Sequence, residues 1–255
     1  MVEAAVDSGL WIRRFHPAND GAPRLVVLPH AGGSASFFRP FSTALSPELE
    51  VLTVQYPGRQ DRRTEPTIDN VADYADAIHA ALQPFADRPL TLFGHSMGAV
   101  LGFEVARRLE QSGHAPLGLI ASGRRAPSTH REESVHLRDD NGIVAELRTL
   151  SGTHGDLLGD EEILRMILPA LRGDYTAVER YSCPADRVVS CPILVLTGDE
   201  DPRTTLAEAE AWAGHTTAGS RLEVFTGGHF FIVDHQKRLA ELVAEFTTGR
   251  AAAGR

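Results

Sequence analysis

Gly94-His-Ser96-Met-Gly98 is the stretch of this chain best suited to chemistry. A serine with glycines two residues to either side, after an apolar run and before a helical pattern, has the form of a nucleophile on a sharp strand-to-helix turn. The reason is steric. Such a turn strains the serine backbone, and side chains at the flanking positions would hold strand and helix apart. Oγ then stands clear at the carboxyl edge of a sheet. The helix opening near Met97 aims free N–H groups and the positive end of its dipole at the same point, which favours an anionic intermediate.

A serine hydroxyl needs a base at neutral pH. Among 11 histidines, His229 in Phe225-Thr-Gly-Gly-His-Phe-Phe231 is the best placed. It follows the last apolar strand on a glycine-rich loop, where the histidine falls in the chain order nucleophile, acid, histidine. His95 adjoins Ser96, but neighbours on such a turn diverge; His235 lies on the following helix. The acid is expected after the penultimate strand, which ends in Asp199, Glu200 and Asp201. Asp201 is preferred, because the loop from Gly198 can turn its carboxylate back toward the histidine. Asp199 is the alternative. The acid's task is to hold the imidazole tautomer and stabilise the imidazolium.

An oxyanion formed by attack needs two backbone donors. Met97, the residue after the nucleophile, supplies one. The small-residue loop Leu28-Pro-His-Ala-Gly-Gly-Ser34 supplies the other, from Ala31 or, as the alternative, Gly32. The loop lacks both the Gly-Lys-Ser/Thr ending and the G-x-G-x-x-G spacing of phosphate loops.

These side chains need a scaffold. Short apolar runs at Leu10–Phe15, Arg24–Leu28, Val51–Tyr56, Leu90–Phe93, Leu117–Ala121, Ile193–Leu196 and Leu222–Phe225 read as buried strands. Helical patterns lie between them: Val71, Tyr74, Ala75, Ile78, Leu82 and Phe85; Leu101, Val105 and Leu109, stopped at Gly113; and Leu239, Leu242, Val243 and Phe246. Such alternation predicts a mostly parallel sheet flanked by helices, and the order nucleophile, acid, histidine along it is that of the α/β-hydrolase fold. From Arg124 to Cys191 no good strand occurs, but helix-like stretches do, at Gly142–Leu150, Glu161–Leu171 and Tyr175–Tyr181. Residues 124–191 therefore read as a helical lid inserted before the penultimate strand, within one domain spanning 1–255. A small second domain is the other reading. The tail Thr247–Arg255 is expected to fray.

Composition narrows the partners. The 255 residues carry 25 basic and 34 acidic side chains, for a net charge of −9, which argues against bulk nucleic-acid binding. Lys237 is the only lysine. Cys183 and Cys191 are too few for a disulfide framework or a thiolate metal site. Residues 1–14 lack the apolar core of a signal peptide, and no run approaches the roughly 18 residues of a membrane span. The expectation is a cytoplasmic protein, monomeric, with no metal or other cofactor.

Several stretches together resemble the type II thioesterases that accompany polyketide and nonribosomal peptide synthases. They are Leu28–Phe38, Val54-Gln-Tyr-Pro-Gly-Arg-Gln-Asp-Arg-Arg63, Phe93–Ala99, Ala121-Ser-Gly-Arg-Arg-Ala-Pro127, Thr197–Arg203 and Gly227–Phe231, and they run from about Arg24 to about Asp234. The resemblance implies an editing enzyme that hydrolyses acyl groups from the phosphopantetheine arm of carrier proteins, with Ser96, Asp201 and His229 as its triad and the Ala31 and Met97 amides as its oxyanion donors. A carboxylesterase and a chain-releasing thioesterase are the rivals on the same fold. Releasing enzymes are usually fused to a synthase, whereas this chain starts at its own Met1. In the lid, Ile143, Leu147, Leu164 and Ile167 would wall an acyl chamber. Arg59, Arg62, Arg63, Arg124 and Arg125 would offer an acidic carrier protein a basic docking patch.

Overall fold

Five of the apolar runs become strands buried on both faces, whereas the edge strand Ser220–Phe225 is largely exposed. The computed structural model describes residues 7–151 and 161–253. Its elements in chain order are α1 (Ser8–Trp11), β1 (Ile12–Arg13), β2 (Arg24–Leu28), α2 (Arg39–Leu45), β3 (Glu50–Val54), α3 (Val71–Leu82), β4 (Leu90–His95), α4 (Met97–Gln111), β5 (Gly118–Ser122), α5 (Asp140–Ser151), α6 (Glu161–Arg180), β6 (Ile193–Gly198), α7 (Leu206–Glu210), β7 (Ser220–Phe225), α8 (Phe231–Asp234) and α9 (Gln236–Ala253). The strands form one sheet in the order β1-β3-β2-β4-β5-β6-β7. β1 runs antiparallel to β3, and all other neighbours are parallel. This is the α/β-hydrolase arrangement that the sequence predicts.

Alternation along β2 shows why these strands read as unbroken apolar runs. Leu25 and Val27 enter one layer with Phe38, Phe41, Leu239 and Val243. Val26 and Leu28 enter the other with Tyr74, Ile78, Leu101 and Phe103. Each such side chain, fully buried, contributes about 1.5–3 kcal/mol relative to exposure. The covering helices have definite ends. The Asn70 side chain accepts the Asp73 N–H at 2.8 Å and opens α3. Gly113, at φ 82°, closes α4 in the left-handed conformation that suits glycine after a helix.

Three expectations change. Leu10–Phe15 holds only the two-residue β1, because the Asp7 side chain accepts the Gly9 N–H and caps a helical turn that buries Trp11. The stretches Glu161–Leu171 and Tyr175–Tyr181 are one helix, α6, with Pro169 inside it. The tail does not fray from Thr247: α9 continues to Ala253 and Thr247 is buried, while 254–255 lie outside the described residues.

Between β5 and β6 stand α5, α6 and a short helical turn at Val135–Leu137. Val135, Ile143, Leu168, Leu171 and Tyr175 form a small apolar cluster of their own, and Ala31 packs against it. Arg172 ties the pieces together, donating to the carbonyls of His136 and Arg138 at 2.7 Å each.

Candidate active site

β4 delivers Ser96 to the carboxyl edge of the sheet. Its backbone is at φ 55° and ψ −115°, a conformation that costs a non-glycine residue about 1–3 kcal/mol. The Ser96 N–H donates to the Ser122 carbonyl at 2.8 Å, which pins the turn to β5. The glycines are obligatory. A Cβ on Gly94 would stand 2.0 Å from the Gly98 carbonyl oxygen, and one on Gly98 would stand 2.0 Å from that of Leu28.

The three side chains meet across 133 residues of sequence. Ser96 Oγ lies 3.0 Å from His229 Nε2. On the other side of the ring, Nδ1 lies 2.9 and 3.1 Å from the two oxygens of Asp201. A carboxylate can only accept, so Nδ1 carries the proton and Nε2 is free to accept the Ser96 hydroxyl. Asp199 is elsewhere: its carboxylate accepts the Gly227 N–H at 2.8 Å and so steadies the loop that carries His229. His235 binds Thr226, and His95 turns its Nδ1 to Ser122 Oγ at 3.0 Å.

The histidine rings nearest His229 are neutral. Its ring centre is 5.2 Å from that of His95, which is 5.9 Å from His30. Burial, and next the charge of His229, pushes His95 well below the ordinary histidine range and His30 down to about 3. Neither ring therefore puts a positive charge beside an imidazolium at position 229.

A cleft opens above Ser96 and His229. Ala31 and Met97 line it, as do His30 and Phe230. The Gly32 N–H is not available there, because it donates to Asp174 Oδ2 at 2.7 Å. Met97 begins α4, where the first N–H groups have no helical partner.

The inserted helices close the cleft with Leu147, Leu150, Tyr175 and Val178. Of the apolar residues expected to wall it, Leu147 does so. Ile143 and Leu164 are buried in packing, and neither they nor Ile167 border this space.

The arginine patch is overturned as a surface. Arg59, Arg62, Arg124 and Arg125 are 3–8% exposed, and only Arg63 faces solvent. Arg59 pairs with Asp174, Arg62 with Glu65 and Arg125 with Glu133. Arg124 borders the cleft with Arg203 and Glu133. Burial, and next the charge of Arg125, lowers the Arg124 guanidinium to about 10. Burial would raise the Glu133 carboxyl, but the hydrogen bond from Arg125 and the charges of Arg124, Arg125 and Arg203 outweigh it and hold it at about 2.

With that geometry in view, comparison with known proteins is direct. The model of the thioesterase domain family matches residues 23–247. The chain belongs to the thioesterase family. Its relatives include a probable cadicidin biosynthesis thioesterase of Streptomyces griseus, 60% identical over 225 residues, which is 88% of this chain and 62% of that protein's own length. Thioesterase PikA5 of Streptomyces venezuelae is 49% identical over 94% of this chain and 86% of its own. Among solved structures, the type II thioesterase BorB of the borrelidin biosynthetic cluster superimposes with a TM-score of 0.89 at 46% identity, covering 96% of this chain and all of BorB. The resemblance carried by the motifs is thus borne out at the level of family and fold. Among the described residues no helix is long and apolar enough to cross a membrane.

Proposed function

We propose that this member of the thioesterase family is a serine hydrolase that removes acyl groups from the phosphopantetheine arm of a carrier protein, editing a polyketide or nonribosomal peptide assembly line. The observation that carries the reading is the line from Ser96 Oγ through His229 to Asp201, ending beneath a cleft. The roles of its relatives support the substrate class: a probable cadicidin biosynthesis thioesterase and the type II thioesterase of the borrelidin biosynthetic cluster.

The chemistry runs in two halves. His229 Nε2 takes the Ser96 proton as Oγ attacks the thioester carbonyl. The Ala31 and Met97 amides hold the oxyanion. The carbon–sulfur bond breaks, the arm leaves as a thiol with the proton from His229, and the acyl group stays on Ser96. Water, deprotonated by His229, then attacks that ester, and the acid departs as Oγ recovers its proton. Asp201 keeps Nδ1 protonated throughout and stabilises the cation. Residues 124–191 act as a lid over one domain, and the enzyme works as a cytoplasmic monomer.

Trapping tests the assignment. A serine-directed inhibitor should leave its adduct on Ser96, located by mass spectrometry, and Ser96→Ala should abolish acyl-carrier hydrolysis. Near-parental hydrolysis by clean Ser96→Ala protein sinks the reading. Faster turnover of simple esters than of acyl-carrier substrates would favour the esterase instead.

A further inference from the structure

Asp174 takes no part in proton transfer, yet it grips the loop that carries an oxyanion donor. It lies in α6 and is fully buried. Its Oδ2 accepts the Gly32 N–H at 2.7 Å and also pairs with the Arg59 guanidinium. Its Oδ1 accepts the Tyr74 hydroxyl at 2.7 Å. Arg59 in turn donates to the Gly33 carbonyl at 3.2 Å and to the Pro57 carbonyl at 2.7 Å. Gly32 sits at φ +72°, and a Cβ there would press on Leu171 of the same helix.

We propose that Asp174, backed by Arg59, is the positioning residue of the oxyanion loop: by fixing the Gly32 peptide plane it keeps the neighbouring Ala31 amide aimed at the developing oxyanion. The inference rests on the function proposed above. Consecutive peptide planes are rigid and joined only through φ and ψ of the residue between them, so holding the Gly32 N–H constrains the Ala31 amide. Glue alone would not need charge. Burying an ion pair is expensive, and apolar side chains of equal volume fill space as well or better. What they lack is an acceptor aimed at one N–H. The stretch of α6 around Asp174 is then part of the frame of the oxyanion hole.

Two variants of the full-length protein test this. Asp174→Asn keeps the shape and removes the charge. Tyr74→Phe deletes the hydroxyl that donates to Asp174 and accepts from Arg59, and leaves the ion pair. The readouts are kcat and KM on a small acyl thioester, melting temperature, and affinity for an alkyl boronic acid, which forms a tetrahedral anionic adduct with an active serine. Asp174→Asn should lower kcat about 10- to 100-fold with KM changed less than about twofold, and boronate affinity should fall in parallel with kcat/KM. Tyr74→Phe should move the same way by a smaller factor. A lowered melting temperature with kcat and boronate affinity near parental overturns the proposal. If Asp174→Asn does not fold, Tyr74→Phe decides by the same criterion. A parent protein that forms no boronate adduct at Ser96 defeats the function itself, and the positioning role with it.

Discussion

Both carboxylate oxygens of Asp201 lie within reach of His229 Nδ1, at 2.9 and 3.1 Å, while Asp199 touches only the loop behind the ring. Asp201 is also held in place, since Oδ1 accepts the Arg203 N–H at 2.8 Å. Asp201→Asn should therefore lower kcat about 10³- to 10⁴-fold by favouring the wrong tautomer. Asp199→Asn should cost less than about tenfold, because it loosens the loop without touching the imidazole. Steady-state rates on a small thioester, taken on protein of verified fold, separate the two.

The glycines around the nucleophile make a sharper claim. Gly98→Ala places its new methyl 2.0 Å from a main-chain oxygen that no rotamer change can move. The expected loss exceeds about 4 kcal/mol. Gly214 has no atom within 4 Å of an added Cβ, so Gly214→Ala should stay within about 0.5 kcal/mol of the parent. Thermal melts of the two variants give the comparison.

Acid should destabilise the fold earlier than its carboxylates alone would. His30 and His95 are held neutral by burial, His30 down to about 3. The unfolded chain protonates both near 6.5 and the folded chain does not. Their contribution is complete above about pH 6.5 and is lost as pH falls below it, by at most about 1.4 kcal/mol per pH unit for each group, for His30 down to about 3. Glu133 extends the loss on the lower side of 4.5 toward 2. Melting temperatures between pH 8 and 5 should fall below 6.5, and His30→Phe should flatten the slope. A parental slope in that variant would refute the assignment.

Two leucine-sized residues of α5 should behave oppositely. Leu147 borders the cleft, whereas Ile143 is buried in the insertion's own cluster. Leu147→Ala should shift kcat/KM toward longer acyl chains by about tenfold or more. Ile143→Ala should lose about 2–5 kcal/mol of stability and leave chain-length preference unchanged. A panel of acyl thioesters and a denaturant titration check both.

What the sequence made legible was local. Gly94, Ser96 and Gly98 announce their turn because its steric demands fall within five residues. Strands β2 to β6 read clearly because burial on both faces removes polar residues from them. His229 and Asp201 could be placed because the fold's chain order limits where each can stand. Asp174 carried no such mark: its partner Gly32 is 142 residues away, and nothing near either position in sequence implies the pairing. The arginines misled for a related reason. A run such as Arg59, Arg62 and Arg63 looks like surface until the acids that face it are known, and Asp174 comes from a helix far along the chain. The length of α6 was missed because Gly173, between the two stretches, looks like a break, although it is accommodated inside the helix.

Arg24, Arg59, Arg62, Arg124 and Arg125 all point inward. Paired there with acids, they leave the chain's net charge of −9 to give the protein an acidic skin. An acidic partner would be repelled at a distance, and dissolved salt, which shortens that repulsion to about 8 Å at physiological strength, should quicken their encounter instead of slowing it.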